Sequence, residues 1–184
     1  MVQHSDIDHT GIPGTGSGGI AGNTIIAQPP GQDVTQTGAG GTAGTAYMMP
    51  VNIPGAMLLR KLRVKVQSGA AGSVQWGLFD YHTDATSCTK LAGGSAAVAT
   101  NWSDIAATGA PVSVGAGNYM LIIHLPAATA PSLVVGAGGT GGNMVKSQAS
   151  YAWDDTPTLV SGWSDTTAVF VLFLEGDIDG SNQW

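Results

Sequence analysis

The chain reads as all-β: an antiparallel β-sandwich, jelly-roll-like, behind an extended Gly-rich N-terminal arm. Three observations predict this. From residue 46 onward, segments of about five to ten residues are broken by Gly, Pro, Asn or Asp at the intervals of sandwiches and barrels. No stretch carries the apolar spacing of a helix. The first 45 residues lack any apolar run able to build a core, whereas dense apolar segments start at Ala46-Tyr47-Met48-Met49-Pro50-Val51 and continue to Glu175. The expected organisation is therefore an attachment arm over 1–45 and one β domain over 46–184, the latter of roughly 140 residues and near the commonest single-domain size.

The arm opens on a compact polar signature, His4-Ser5-Asp6-Ile7-Asp8-His9-Thr10-Gly11-Ile12-Pro13-Gly14. Residues 11–45 are rich in Gly, Thr, Ala and Pro, and alone they bury too little to offset their ordering entropy. The short apolar patch Ile20 to Ala27 reads as an edge strand offered to a neighbour.

In the domain, strands are expected near 46–53, 57–67, 73–82, 96–100, 111–114, 117–125, 131–136, 143–149, 157–160 and 167–176. Pro50, Pro54 and Pro126 belong on edges or at strand ends, because proline cannot donate to a ladder. Met57 to Gln67 alternates most clearly. Leu58, Leu62, Val64 and Val66 share one parity and face a core, while Lys61, Arg63 and Lys65 share the other, each about 6.6–6.8 Å from the next. Two segments, Tyr119-Met120-Leu121-Ile122-Ile123 and Ala168-Val169-Phe170-Val171-Leu172-Phe173-Leu174, are apolar on both faces. Such strands mean a covered sheet or a subunit interface, and a homo-oligomer is the expectation.

Composition narrows the function. Only 10% of residues are charged, against about 25% in typical domains. That suits a tightly turned β protein, or a subunit largely covered in an assembly. A net charge of −6 with six Lys and Arg argues against a nucleic-acid partner. The single cysteine, Cys88, supplies neither an internal disulfide nor a metal framework and reads as a small, partly buried residue. No basic stretch followed by an apolar one opens the sequence, and no apolar run reaches the roughly 18 residues of a membrane span. The expectation is a soluble chain made in a cytoplasm, with no membrane partner.

Candidate sites follow from residue chemistry. His4, Asp6, Asp8 and His9 offer metal-ligand chemistry, but His4 and His9 lie about 17 Å apart in an extended segment at ~3.3–3.4 Å per residue, and no second ligand cluster accompanies them. The better reading is a docking segment, His4, Asp6, Ile7, Asp8, His9 and Thr10, hydrogen-bonded to a protein partner with no metal or cofactor. Asp177-Ile178-Asp179-Gly180 resembles the start of a calcium loop without its downstream glutamate, so a solvated tail is expected. The titratable candidates are His82, His124, Asp80, Asp84, Asp154 and Asp155. No Gly-x-Ser-x-Gly elbow or phosphate-loop Gly-Lys-Ser/Thr accompanies them, and a non-enzyme is expected. His124 extends an apolar strand and reads as a satisfied barrel-end or interface histidine. Trp102, Trp153 and Trp163 fall in polar loops with Asp104, Asp154 and Asp165 nearby. They suit packing, or a glycan site that stacks a sugar beside hydroxyl acceptors. Lys61, Arg63 and Lys65 form a candidate electrostatic contact.

The arm from His4 to Gly14, its Gly-rich spacer and the opening Tyr47-Met48-Met49-Pro50-Val51-Asn52-Ile53-Pro54 resemble structural proteins of tailed bacteriophages. Similar Asp-His-Thr-Gly arms occur in head-decoration, fibre and minor tail proteins. Trp76-Gly77-Leu78-Phe79-Asp80 and Val114-Gly115-Ala116-Gly117-Asn118-Tyr119-Met120-Leu121 look like the jelly-roll or sandwich domains of that group. The resemblance implies a virion component without chemistry of its own: a capsid decoration or cement protein, homotrimeric, whose arm contacts the major capsid protein or another virion protein. The alternative is a head- or tail-fibre or spike module that binds host-surface glycans.

Overall fold

A computed structural model describes residues 24–29, 38–67, 72–80, 88–126, 130–136, 145–157, 161–166 and 168–179. The docking segment His4–Thr10, His82 and Asp84 lie outside them. The described residues form two antiparallel sheets and no helix. The strands are numbered along the chain. The larger sheet holds β1 (Thr24–Ala27), β2 (Gly38–Gly40), β4 (Met57–Val66), β7 (Asn101–Ala106), β8 (Val112–Val114), β10 (Leu133–Gly136), β13 (Val169–Phe170) and β14 (Leu172–Ile178). Its main path runs β1-β14-β4-β10-β13, with β7 and β8 also on β4 and β2 on β10. The smaller holds β3 (Thr45–Ile53), β5 (Gly72–Asp80), β6 (Lys90–Val98), β9 (Gly117–Leu125), β11 (Lys146–Gln148) and β12 (Ser164–Asp165), ordered β12-β11-β3-β9-β5-β6.

Alternation builds the core between the sheets. The smaller sheet contributes Tyr47, Met49, Val51, Val74, Trp76, Leu78, Leu121 and Ile123, which meet Leu62, Val64, Val66, Ile105, Phe170, Leu172 and Leu174 of the larger. Trp76 is fully buried at the centre. Each such large apolar side chain contributes about 1.5–3 kcal/mol relative to exposure.

The parity expected for β4 holds only beyond residue 61. Met57 and Leu59 are the buried residues of its first half, while Leu58 is half-buried on the other face. The cause is a β-bulge. Glu175 pairs with Lys61 but Gly176 pairs with Leu59, so Arg60 is the extra residue and the alternation flips across it. Gly176 is required there, because a Cβ would strike the Leu58 carbonyl oxygen and approach Met57 Cε to 2.6 Å.

Two strands come from the Gly-rich segment. β1 pairs along β14 from Thr24↔Asp177 to Ala27↔Leu174, so the described part of the expected edge strand joins its own chain's sheet and not a neighbour's. β2 lies on β10, where Gly38 and Gly40 pass so close to Val135 that a Cβ on either would overlap it. Pro50 sits in β3 beyond the end of β11, which pairs only with Ala46–Met48; from there β3 is laddered through β9 alone among the described residues.

Candidate functional site

β9 is apolar on both faces because the chain roofs its own sheet. Leu121, Ile123 and Leu125 point into the sandwich, while Ile122, with Met120 beside it, joins Ala46, Met48, Phe79, Cys88 and Tyr151 in a second cluster on the outer face. Trp153 and Trp163 pack against this cluster. The roof is the segment after β11, pinned at both ends: the Tyr151 amide donates to the Gly44 carbonyl at 2.9 Å and the Cys88 amide to the Pro157 carbonyl at 3.2 Å. Gly77 makes room for it, since a Cβ there would lie 3.2 Å from Trp153 Cζ2 and 2.7 Å from the Phe79 ring.

Trp153 is held by several neighbours. Its Nε1 donates to Asp155 Oδ1 at 2.8 Å, and Lys90 Nζ donates to the same oxygen at 2.6 Å while standing 5.7 Å from the indole centroid. His124 stacks on it with centroids 6.2 Å apart, and Tyr151 meets it edge-on at 6.3 Å. The hydrogen bonds from Lys90 and Trp153 keep the Asp155 carboxyl below its ordinary range.

Tyr151 is the pivot. Its ring contacts His124 at 5.6 Å and Trp163 at 5.6 Å between centroids. It is 9% exposed, and its hydroxyl is shut away from solvent. Burial pushes its phenol above the ordinary value, opposed by the nearby Asp154 backbone. His124, 8% exposed, has an unpartnered Nδ1, and burial lowers its pKa. The histidine is thus buried under the roof and, among the described residues, lacks a partner at that nitrogen, where the sequence predicts a satisfied one.

Beside Tyr151 the roof leaves an open depression of about 420 Å³, lined by Gln148, Ser150, Tyr151, Ala152, Asp154, Pro157, Ser161 and Gly162. Asp154 Oδ1 accepts from the Thr156 amide at 2.9 Å and from its hydroxyl at 3.2 Å, forming a local turn. The structure therefore brings Trp153, Trp163, His124, Asp154 and Asp155 into one region, with Tyr151 at its centre. Nothing in the sequence marks Tyr151, because its contacts with His124 and Trp163 are made only in the fold.

Trp102 lies elsewhere, on the outer face of the larger sheet. It is 41% exposed, 5.2 Å from the Phe173 ring between centroids, with Lys65 Nζ 6.0 Å from its own centroid. The basic residues of β4 are there too, already paired: Asp104 accepts from Lys61 Nζ at 2.7 Å and from Arg63 Nε at 2.5 Å, and Glu175 lies 3.2 Å from Lys61 Nζ. Asp177 pairs with Arg60, and Asp179 Oδ2 accepts from Ser113 Oγ at 2.7 Å, so both carboxylates of the C-terminal Asp-x-Asp are engaged within the fold. Asp80 Oδ1 accepts from the Thr89 amide at 2.5 Å. Among the described residues no three His, Cys, Asp or Glu side chains converge as a metal site would require. No protein-family model, curated protein or solved structure matches the chain.

Proposed function

We propose that the chain is a non-enzymatic structural protein of a tailed-bacteriophage virion, a decoration or cement protein that anchors through its arm and stabilises the head. The observation that carries this reading is where the body begins. Thr24–Ala27 form the outermost strand of the larger sheet, so the segment bearing His4, Asp6, Ile7, Asp8, His9 and Thr10 joins the sandwich at a rim. From a rim, an arm reaches the major capsid protein of neighbouring subunits while the body sits above them, and each backbone hydrogen bond along the arm adds to the anchor. Ile26 at 54% exposure on β1 and Leu91 at 39% on β6 put large apolar side chains on strands that edge their sheets, which suits a homotrimer seated at a capsid symmetry axis.

The test mixes capsids lacking this protein with the full chain and with a variant carrying His4, Asp6, Asp8 and His9 all replaced by Ala. The full chain pellets with capsids to a saturating, symmetry-defined stoichiometry. The variant stays in the supernatant with an unchanged circular dichroism spectrum. Equal pelleting of both overturns the reading. Deleting residues 1–45 is the wrong comparison, because it removes β1 and β2 from the sheet. A fibre module that binds host-surface glycans is the second reading, and the depression beside Tyr151 is the observation that favours it.

A further inference from the structure

We propose that the roof over the outer face of the smaller sheet is an acid-released cover, latched at His124, that lifts while the sandwich stays folded. Three observations lead there. Residues 149–157 add no strand to the sheet they cover, and among the described residues their backbone is tied to it at a few points, Tyr151 to Gly44, Asp155 to Lys90 and Pro157 to Cys88. His124 lies at the contact itself, its imidazole stacked on Trp153 and meeting Tyr151 edge-on, while its own strand stays laddered to Ala46 of β3 and Gln75 of β5. The cluster beneath the roof is separate from the core between the sheets, so the cover can lift without breaching Trp76 and its neighbours.

Proton linkage gives the sign. Among the described residues no carboxylate is paired with the imidazole. Ala46 and Gln75 flank it on the sheet, Tyr151 and Trp153 cover it, and Cys88 belongs to the same roofed cluster. Asp155 is taken by Lys90 and the Trp153 indole, and Asp154 by the Thr156 amide and hydroxyl. Burial therefore opposes the imidazolium under the closed roof, whereas a lifted roof lets it form at the ordinary value of about 6.5. Acid thus favours the open state, by at most about tenfold in the open-to-closed ratio between pH 7.5 and pH 5.5. Two other groups of the roof keep their charge across that window, since the Asp155 carboxyl is held below its ordinary value and the Tyr151 phenol above its own. Lifting bares Met48, Phe79 and Ile122, an apolar strip on an otherwise folded body.

The cover does not depend on the virion reading, and the two fail separately: capsid pelleting probes the arm, opening of the roof probes the body. Cys88, the one cysteine of the chain, is buried in the cluster beneath the roof and tied to Pro157 through its amide, so its thiol reports opening. The experiment labels the full chain with 4,4′-dithiodipyridine at pH 7.5 and pH 5.5, about one unit either side of the ordinary histidine value. Each rate is divided by that of the urea-unfolded chain at the same pH, which removes the thiol's own ionisation. The normalised rate should rise severalfold toward pH 5.5, to at most about tenfold. Low urea should leave it almost unchanged, because a local opening exposes little surface. His124→Leu and His124→Gln, neither able to gain a proton, should hold the rate level between the two pH values. A normalised rate that does not rise in acid overturns the proposal. So does a rise that persists in the folded variants, or labelling that steepens with low urea as global unfolding does.

Discussion

Arg63 on β4 and Asp104 on β7 are cross-strand partners, with Nε 2.5 Å from one carboxylate oxygen and Nη2 3.2 Å from the other. Burial opposes the charged form of Asp104, yet hydrogen bonds and charge from Arg63 and Lys61 outweigh it and hold the carboxyl below its ordinary value. The basic stripe of β4 is thereby neutralised largely from within, by Asp104 and Glu175.

Asp104→Asn should lower stability by about 1 kcal/mol at neutral pH, a modest figure because the pair is partly solvated. A carboxyl depressed in the folded state contributes fully above its unfolded value of about 3.9, and the contribution is lost as pH falls through the lower folded value. Urea unfolding at pH 7 and near pH 3 checks this: the gap between the two proteins is larger at the first than at the second.

Gly176→Ala should cost about 1–3 kcal/mol, the usual penalty of forcing an extra carbon into a packed site. The new methyl would meet the Leu58 carbonyl at the bulge. A lower urea midpoint with an unchanged m-value is the expected result.

Trp153→Ala should cost about 2 kcal/mol, less than a fully buried tryptophan because the ring is half-buried. It uncovers Ile122 and Phe79 on the outer face of the smaller sheet. Increased binding of an apolar dye by the still-folded variant reports the opened roof.

His124 gives stability a slope near neutrality. Burial lowers its pKa in the fold, so as pH falls through about 6.5 the unfolded chain gains a proton that the folded chain does not, and stability declines with acid. Replacing it by Leu should flatten that part of the profile, measured by thermal unfolding between pH 7.5 and pH 5.5, about one unit either side of the ordinary histidine value.

What sequence revealed and what it hid follow one physical line. β3, β4, β5 and β9 were legible because alternation or unbroken apolar runs end at Gly, Pro or Asn, and β9 falls on the expected 117–125. β6 was legible only at its end, because Gly93-Gly94 reads as a turn. Both glycines instead sit within the strand opposite Gly77 and Trp76, where a Cβ would strike the Trp76 carbonyl oxygen at 2.5 Å or the Ala106 carbonyl. β7 was hidden because Trp102 and Asp104 face outward and Ile105 is its one fully buried side chain. β1 was legible as an edge strand from Ile25 and Ile26, though not its pairing with β14; β2 was hidden because a backbone ladder leaves little side-chain pattern in Gly-rich chain, and the bulge at Arg60 leaves none. Of the candidate site, the tryptophans and acidic residues were visible, but their grouping was not. Contacts such as Lys90 with Asp155 join residues 65 apart, and only the roof tells Trp153 from Trp102.

If the chain is a decoration protein, residues 1–23 suffice to anchor it and the sandwich is carried. Fusing those residues to an unrelated monomeric fluorescent protein and sedimenting the fusion with capsids that lack the native chain tests it most directly. The fusion should pellet, and added full chain should displace it. A fusion left in the supernatant while the full chain pellets would contradict it.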